Sequence, residues 1–291
     1  MSFSTKTFAH NIETSNKFLL GKNSNAAPMD FVNKRKIYDF FHSLHVPHMN
    51  CCCDVVREHF CITTSTGFFE PLYVYRPKDA IEEKLPIIFF CHGGHWCLGN
   101  IHEYEQHLIK ISRQCHACVV YVDYRKAPEY KFPIPIEDCY NALIALLKNP
   151  MKYHIDTEKL ILLGECNGGN ITANICQRLH AETQWKPILQ VLIYPNLDVS
   201  PKDPTLIADI PTAGLTYTAI QAYNNYFYKT NDQKRMPEGS PIYFEHFEYF
   251  PPTFTMTCEY DYVTEGALIF NENLKLANVP VKHSLIRGGK P

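Results

Sequence analysis

The strongest constraint on the fold lies in residues 159–172, which read Lys-Leu-Ile-Leu-Leu-Gly-Glu-Cys-Asn-Gly-Gly-Asn-Ile-Thr. The apolar run that opens this stretch predicts a short buried strand, and its last residues predict the start of a helix. Between them, Gly164, Cys166 and Gly168 match the Gly-x-Ser-x-Gly pattern, with cysteine in the position of serine. Because a Cβ atom at either glycine would clash in so tight a turn, the pattern predicts a sharp elbow that lifts Cys166 above the sheet edge.

The predicted elbow has chemical consequences for Cys166. The N-terminus of the following helix would direct unpaired N–H groups and a positive dipole end towards the sulfur, which favours a thiolate nucleophile. The alternative is a strand-to-helix turn that needs glycines for its shape alone, because five-residue motifs recur by chance. On this motif alone, both interpretations stay open.

A second glycine motif also follows an apolar run. Residues 85–91 predict a buried strand, and His92, Gly93 and Gly94 come directly after it. A glycine pair at this point leaves backbone N–H groups unpaired and open to approach, as an oxyanion hole requires. The alternative is a loop that contains a tight turn.

The rest of the chain alternates predicted strands with predicted helices. The strands cover residues 55–63, 68–75, 117–123, 188–194, 253–258 and 281–286, and the helices cover residues 30–42, 103–113, 136–148, 217–228 and 265–277. Such alternation is typical of a mostly parallel sheet with helices on both faces. Residues 201–251 are rich in proline and aromatic side chains and break the alternation, which predicts an insertion over the carboxyl edge of the sheet.

Charge and composition argue against several classes of protein. A net charge of −2 and a pI near 6.7 argue against a nucleic-acid-binding protein, which usually carries a basic patch. The N-terminus lacks the apolar core of a signal peptide and no apolar run could cross a bilayer, so we expect a cytoplasmic protein without a membrane span. Neither the cysteines at 51–53 nor the Cys-x-x-Cys at 115–118 has the ligand spacing of a zinc site, so no metal is expected.

Four segments occur in the order found in a known family. They are His-Gly-Gly-His-Trp-Cys-Leu-Gly-Asn at 92–100, Asp-Tyr-Arg-Lys-Ala-Pro-Glu at 123–129 with Phe-Pro at 132–133 and Glu-Asp at 137–138, Gly-Glu-Cys-Asn-Gly-Gly-Asn at 164–170, and Glu-Tyr-Asp-Tyr at 259–262. Together they resemble the HGGGW, DYRLAPE, GDSAGGN and E-Y-D-P segments of the hormone-sensitive-lipase-like branch of the α/β-hydrolases. The resemblance covers most of the chain after residue 55.

The resemblance implies an α/β fold, namely an α/β-hydrolase with a mostly parallel sheet of about eight strands, helices on both faces and a helical lid. Residues 1–54 would form an N-terminal lid segment, and residues 55–291 would form the hydrolase domain with a lid insertion at about 201–250. The helix that closes the sheet in the family has no counterpart before Pro291. Its absence would leave the last strand exposed to a partner or a second copy of the chain.

The resemblance also implies roles for individual residues. Cys166 would be the nucleophile, Asp261 the acid that orients a histidine, and the backbone N–H groups of Gly93, Gly94 and Asn167 the oxyanion hole. The residues that would support these motifs are His92, Gly164, Glu165 and Gly168. Members of the family hydrolyse short- to medium-chain carboxylic esters through an acyl-enzyme and without a cofactor. Without the resemblance, the alternative for Asp261 is a turn residue at a strand end.

Three positions depart from the family pattern. His95 replaces the third glycine of the oxyanion segment, where a side chain can point away from the site. Cys166 replaces serine. Cysteine can still act as the nucleophile, because its thiolate is strongly nucleophilic. Dienelactone hydrolases, another branch of the same fold, also resemble Gly-x-Cys-x-Gly at this elbow. The family's histidine lies a few residues beyond the position of Gly289, whereas this sequence ends at Pro291, and His283 lies within the preceding predicted strand.

These departures leave two functions open at this site, besides a structural or partner-binding role through the exposed last strand. The first is a carboxylic ester hydrolase that acts on small acyl esters and is impaired in this chain, either because the chain is truncated or because the site has changed. The second is a catalytically dead homologue that binds a small acyl or carboxylate ligand in the old substrate pocket. Plant gibberellin receptors, which resemble this family, provide the analogy for the second function.

Overall fold

The computed structural model describes residues 15, 18–21, 27–44, 54–64, 67–202 and 216–289. The cysteines at 51–53 and parts of both predicted lid segments lie outside these ranges. The division into a lid and a hydrolase domain therefore stays a prediction.

One mixed sheet of eight strands organises the described residues. The strands are β1 (Val55–Thr63), β2 (Phe69–Pro77), β3 (Leu85–Cys91), β4 (Cys118–Val122), β5 (Ile155–Glu165), β6 (Leu189–Ile193), β7 (Thr253–Cys258) and β8 (Val281–Ile286). Their order across the sheet is β1-β2-β4-β3-β5-β6-β7-β8. The β1–β2 and β2–β4 pairs are antiparallel and the other five pairs are parallel, which confirms the predicted sheet.

The central strands form because their residues are apolar on both faces. All five residues of β4 and six of the seven residues of β3 are buried. A parallel strand is covered by helices on both sides, so its sequence is a continuous apolar run without polar alternation. The bounds predicted for β3, β7 and β8 agree with the structure at every residue.

Helices cover the sheet on both faces, as predicted. They are α1 (Pro28–Leu44), α2 (Ile101–Cys115), α3 (Ile134–Leu147), α4 (Asn167–Glu182), α5 (Tyr217–Phe227), α6 (Asn231–Arg235) and α7 (Thr264–Leu276). Ile88 and Phe90 of β3 share one apolar core with α2, whereas Ile87 and Phe89 share the other core with α3, α4 and α7. Successive side chains of a strand point to opposite faces, so β3 contributes to both cores.

Two element bounds differ from the sequence prediction. β5 begins at Ile155, five residues earlier than predicted, because it pairs with β3 on both sides of an irregularity that separates Asp156 from Leu160. Helix α4 begins at Asn167 instead of residue 171. Its first turn contains two glycines, whose low helix propensity conceals the true start.

Helices α1 and α5 pack together near the loop that follows β3. The ring of Phe31 in α1 meets the ring of Tyr223 in α5 edge-on, with centroids 6.0 Å apart. In the loop, the indole of Trp96 stacks on Phe227 of α5 at 4.3 Å. The aromatic rings therefore tie the loop after β3 to the helices above it.

The strand β8 forms one edge of the sheet. Its Leu285 and Ile286 are 44% and 41% exposed. A partner or a second copy on this edge stays a prediction. Within the part of the chain that the structure describes, no helix is both long enough and apolar enough to span a membrane.

The contact between α4 and β3 gives a test of the fold. A Cβ atom at Gly168 would lie 2.0 Å from the carbonyl oxygen of Cys91, and a backbone atom cannot rotate away. We expect Gly168→Ala to lower the free energy of unfolding by about 3 kcal/mol, the upper end of typical overpacking costs. Urea denaturation followed by circular dichroism measures the loss.

Gly67→Ala is the matched control, because a Cβ atom there meets nothing within 4 Å and only the positive φ of 78° opposes the substitution. That strain alone costs about 1 kcal/mol. Equal losses for the two variants would contradict the close approach at Gly168.

Candidate active site

Cys166 lies between the end of β5 and the first residue of α4. Its backbone has φ 49° and ψ −119°, a conformation that L-residues rarely adopt and that costs energy to hold. Three hydrogen bonds fix it: the Cys166 N–H donates to Ile193 at 2.9 Å, and its carbonyl accepts from Gly169 at 3.1 Å and Asn196 at 2.8 Å. The strain and the bonds together give the elbow that the sequence predicts.

The flanking glycines allow the backbone segments around Cys166 to touch. A Cβ atom at Gly164 would lie 2.3 Å from both the Gly168 carbonyl oxygen and the Thr172 hydroxyl oxygen. At Gly168 the obstacle is the backbone of Cys91 at the end of β3. The start of α4 is therefore held directly against the strand that carries the second glycine motif.

The loop after β3 passes over the thiol. The Sγ–H of Cys166 donates to Oδ1 of Asn167 at 3.0 Å. The backbone N–H groups of Asn167 and Gly94 act to lower the pKa of the thiol. A Cβ atom at Gly93 would lie 3.0 Å from the Cβ atom of Cys166, so this residue also borders the site. The structure thus brings Cys166, Gly93, Gly94 and Asn167 together.

His92 acts as an internal support for this loop. Its ring is fully buried and stacks on Tyr124 with centroids 4.1 Å apart, and its Nδ1 lies 2.7 Å from the Gly93 carbonyl oxygen. The Tyr124 hydroxyl donates to the His92 carbonyl at 3.0 Å. Burial holds the pKa of His92 well below its usual value, so the ring is neutral near pH 7.

His95 points away from the thiol and into the helices above. Its ring stacks on Tyr223 of α5 at 5.0 Å, and burial lowers its pKa to about 4. The side chain that replaces the family's third glycine is therefore a neutral packing group near pH 7.

Asp261 lies in the loop after β7 and has one unpartnered oxygen. Its side chain is 5% exposed, and its Oδ1 accepts the Val263 N–H at 3.2 Å. Its Oδ2 is buried without a hydrogen-bond partner. His283 does not provide one, since its Nε2 lies 2.8 Å from the Thr257 hydroxyl on the sheet. Among the described residues, no histidine bonds to Asp261.

A family model with the description "alpha/beta hydrolase fold" matches residues 88–290, well over half of the chain. The match contains both glycine motifs and Asp261. This chain belongs to the α/β-hydrolase family.

Known relatives of this α/β-hydrolase agree with its hormone-sensitive-lipase-like character. A putative α/β-hydrolase of Acanthamoeba polyphaga mimivirus is 25% identical over 217 residues, which are 74% of this chain and 62% of that protein. An arylesterase of Saccharolobus solfataricus is 30% identical over 223 residues, or 75% of this chain and 71% of that protein. The chain thus spans 62% and 71% of the lengths of these two relatives.

A solved structure gives the same fold for the whole described sheet. The hyperthermophilic esterase of Pyrobaculum calidifontis superposes with a TM-score of 0.81 at 25% identity, covering 100% of this chain and 90% of that one. The family assignment and the topology therefore rest on independent comparisons of sequence and structure.

The thiol of this α/β-hydrolase is held in its neutral form. Burial, followed by repulsion from Glu165 and Asp261, raises the pKa of Cys166 to about 12, although the N–H groups of Asn167 and Gly94 act in the opposite direction. The sequence predicted a stabilising effect of the helix N-terminus on the thiolate. The structure shows that desolvation and two carboxylates outweigh it.

Two tyrosines that the sequence did not predict form hydrogen bonds with Glu165. Its Oε1 accepts the Tyr104 hydroxyl at 2.6 Å and its Oε2 accepts the Tyr194 hydroxyl at 2.8 Å. Tyr194 directly follows β6, which lies beside β5. The predicted topology would therefore have sufficed to place Tyr194 at the same sheet edge as Glu165. Tyr104 comes from α2 on one face and carries no sequence signal.

The described residues contain no obvious metal site. No group of three or more His, Cys, Asp or Glu side chains within the described ranges is arranged to hold an ion. The chemistry of the site therefore has to be argued from Cys166, the nearby N–H groups and the carboxylates.

The buried charge of Asp261 makes stability depend on pH. Burial raises its pKa from 3.8 to about 6, so the folded state binds more protons than the unfolded state between these values and stability falls as pH rises through them. We expect Asp261→Asn to raise the free energy of unfolding by about 2–3 kcal/mol at pH 7.5, from 1.36 kcal/mol for each pKa unit, and to change it little at pH 4.

Thermal and urea unfolding of the 291-residue chain at the two pH values measures this difference. The matched control is Asp79→Asn, because Asp79 is exposed in a short 3₁₀ helix away from the site. A loss of stability at pH 7.5 in Asp261→Asn, or equal gains at both pH values, would contradict the assignment.

Proposed function

We propose that this chain is a carboxylic ester hydrolase that acts on small acyl esters through an acyl-enzyme on Cys166. The observation that carries the proposal is the position of Cys166 at a strained elbow directly against Gly93 of the loop after β3. The Gly94 and Asn167 N–H groups beside it act to lower the pKa of the thiol. N–H groups in this position can donate hydrogen bonds that stabilise the negative charge on the carbonyl oxygen as the thiolate attacks. The names of the arylesterase and the hyperthermophilic esterase agree with this chemistry.

The proposed reaction has two steps. In the first, the Cys166 thiolate attacks the ester carbonyl carbon, and the electron pair of the C=O π bond moves onto the carbonyl oxygen. The tetrahedral intermediate then collapses to a thioester and expels the alkoxide, which takes up the proton lost by the thiol. In the second, water adds to the thioester and releases the carboxylic acid and the thiol. The N–H groups stabilise the tetrahedral intermediate in both steps.

The weak point of the proposed cycle is the removal of the thiol proton. The family resemblance implies a histidine oriented by Asp261, and no histidine among the described residues occupies that place. At a pKa of about 12 the thiolate fraction near pH 7 is on the order of 10⁻⁵. We therefore infer slow turnover by this chain.

A second candidate function has its own supporting observation. The unpartnered Oδ2 of Asp261 and the neutral thiol of Cys166 are what a site without a base would contain. In this case the protein would be a catalytically dead homologue. The Gly94 and Asn167 N–H groups would then bind a small acyl or carboxylate ligand, without transfer to sulfur.

Two reagents separate these functions at Cys166. Acylation by p-nitrophenyl acetate proceeds through an oxyanion intermediate that the N–H groups would stabilise. Alkylation by iodoacetamide forms no such oxyanion. We expect the ratio of acylation to alkylation rate at Cys166 to exceed the same ratio at Cys115 by at least tenfold, since one oxyanion donor contributes about 10²–10³ in rate. Peptide mass spectrometry gives both rates in one sample.

Cys115 serves as the internal control because it is an exposed thiol at the end of α2. Cys166→Ala should abolish the selective adduct and Cys115→Ala should not. Equal ratios at the two cysteines would contradict the hydrolase. A melting-temperature rise with hexanoate in both wild type and Cys166→Ala would then favour the binding protein.

The raised pKa predicts a pH profile for Cys166. Because thiolate is the reactive form and its fraction increases tenfold per pH unit below the pKa, the alkylation rate should rise about tenfold per unit from pH 7 to 10. Iodoacetamide labelling at fixed ionic strength measures the profile. A plateau below pH 9 would show that the environment of Cys166 stabilises the thiolate instead of opposing it.

A further inference from the structure

A cavity separate from the candidate active site lies at the edge of the sheet where β4 and β5 begin. It has a volume of about 190 Å³, and its wall includes Cys118 and Ile155, the first residues of these two strands. Cys166 follows the last residue of β5. The strand β3 pairs with β5 between these points and has seven residues, so the two edges of the sheet lie about 20 Å apart. The cavity is therefore not part of the site at Cys166.

Much of the cavity wall is apolar. Its apolar side chains come from β1, β2, β4 and the end of α3, and they are Phe60, Val74, Val120 and Leu146. The last three are buried, and the ring of Phe60 stacks on Tyr153 with centroids 5.4 Å apart. An apolar cavity of about 150 Å³ can hold a benzene molecule. The cavity thus has room for an aromatic ring with a small substituent.

One buried cation belongs to the same wall. Arg76 of β2 lines the cavity and is only 4% exposed. Its Nη2 donates to the carbonyl oxygens of Tyr153 and, at 3.2 Å, His154. Its Nη1 is buried and has no hydrogen-bond partner. Because a guanidinium stays protonated in proteins, burial does not remove the charge of Arg76.

The charge of Arg76 has no counter-ion within the described ranges, where no carboxylate forms a hydrogen bond or an ion pair with it. The acids that line the cavity are Glu58 and Glu82, and both are exposed to solvent. Glu82 lies 3.7 Å from Nε2 of His154. A buried charge without a counter-ion costs free energy, and so does a buried donor without an acceptor. An anion in the cavity would reduce both costs.

We propose that this cavity binds a monoanionic carboxylate with a compact apolar body, such as an aromatic ring. The carboxylate accepts a hydrogen bond from Nη1 of Arg76, and the ring contacts the apolar wall. The other charged side chains of the lining are Lys152, Glu58 and Glu82, so two basic and two acidic groups face a ligand. Such a balance favours a single negative charge over a dianion. The proposal does not depend on hydrolysis at Cys166.

Benzoate, benzamide and benzamidinium test the charge at nearly constant shape, because they are an anion, a neutral molecule and a cation. We expect benzoate to bind the 291-residue chain at least tenfold more tightly than benzamide by calorimetry, since hydrogen bonds between charged groups are the stronger ones. Benzamidinium should bind more weakly than either, because it brings a second cation to Arg76.

Variants connect this preference to Arg76. Arg76→Gln should reduce the ratio of benzoate to benzamide affinity to less than threefold. Arg113→Gln removes an exposed arginine of α2 and should leave the ratio unchanged. Arg76→Gln also loses the bonds to the carbonyls of Tyr153 and His154, so its folding is checked by circular dichroism. Glu58→Gln keeps Arg76 in place and should tighten benzoate binding at least twofold, because it removes a negative charge from the lining.

Two measurements on the unaltered chain locate the ligand. In crystals grown with 4-bromobenzoate, the anomalous signal of bromine should lie in the cavity, with the carboxylate within hydrogen-bonding distance of Nη1 of Arg76. In solution, saturating benzoate should leave the rate of iodoacetamide alkylation at Cys166 unchanged. Protection of Cys166 together with a bromine signal beside it would overturn the proposal and favour carboxylate binding at the site of the elbow.

The remaining outcomes separate this inference from the proposed function. Equal binding of benzoate and benzamide, or no binding of either, overturns the carboxylate site. An ion pair between Arg76 and Glu58 in the crystal, with only water in the cavity, also overturns it. Binding in the cavity without acylation of Cys166 by p-nitrophenyl acetate overturns only the hydrolase. Acylation without benzoate binding overturns only the present inference.

Discussion

The site depends on one backbone contact, the approach of the first turn of α4 to the end of β3. Gly168 has no Cβ atom, so the Cys91 carbonyl can lie where that atom would be. This contact sets the distance between the elbow and the loop after β3, and hence between the Cys166 sulfur and the Gly94 N–H group. A close-packed interior transmits such a constraint, because neighbouring segments have no space into which to relax.

Two opposing electrostatic effects meet at the thiol. The N–H groups of Asn167 and Gly94 stabilise negative charge on sulfur, whereas burial and the carboxylates of Glu165 and Asp261 oppose it. The second group dominates, so the site resists ionisation of Cys166, the proposed nucleophile, while its N–H groups are the proposed donors to an oxyanion. That combination favours a reaction in which negative charge lies only briefly on the sulfur and then develops on an oxygen atom of the ligand.

The fold was largely predictable because its central strands are unambiguous apolar runs, as β3, β7 and β8 demonstrate. The early start of β5 was not predictable, because the polar residues around the irregularity after Asp156 do not form the apolar run that indicates a buried strand. At the site, the motifs placed Cys166 and the glycine amides, but no sequence pattern encodes the hydrogen bonds of Glu165. Those bonds arise from the packing of α2 and β6 around β5. The raised pKa of Cys166 results mainly from burial in the folded chain, which a sequence motif does not reveal.

The aromatic stack between Trp96 and Phe227 links helix α5 to the loop after β3. Trp96 belongs to the loop that presents the Gly94 amide, and Phe227 ends the helix α5 above it, with ring centroids 4.3 Å apart. An outward movement of α5 would therefore either separate these rings or pull on the backbone that carries the Gly94 amide. The position of α5 and the alignment of the amide are linked through one pair of aromatic rings.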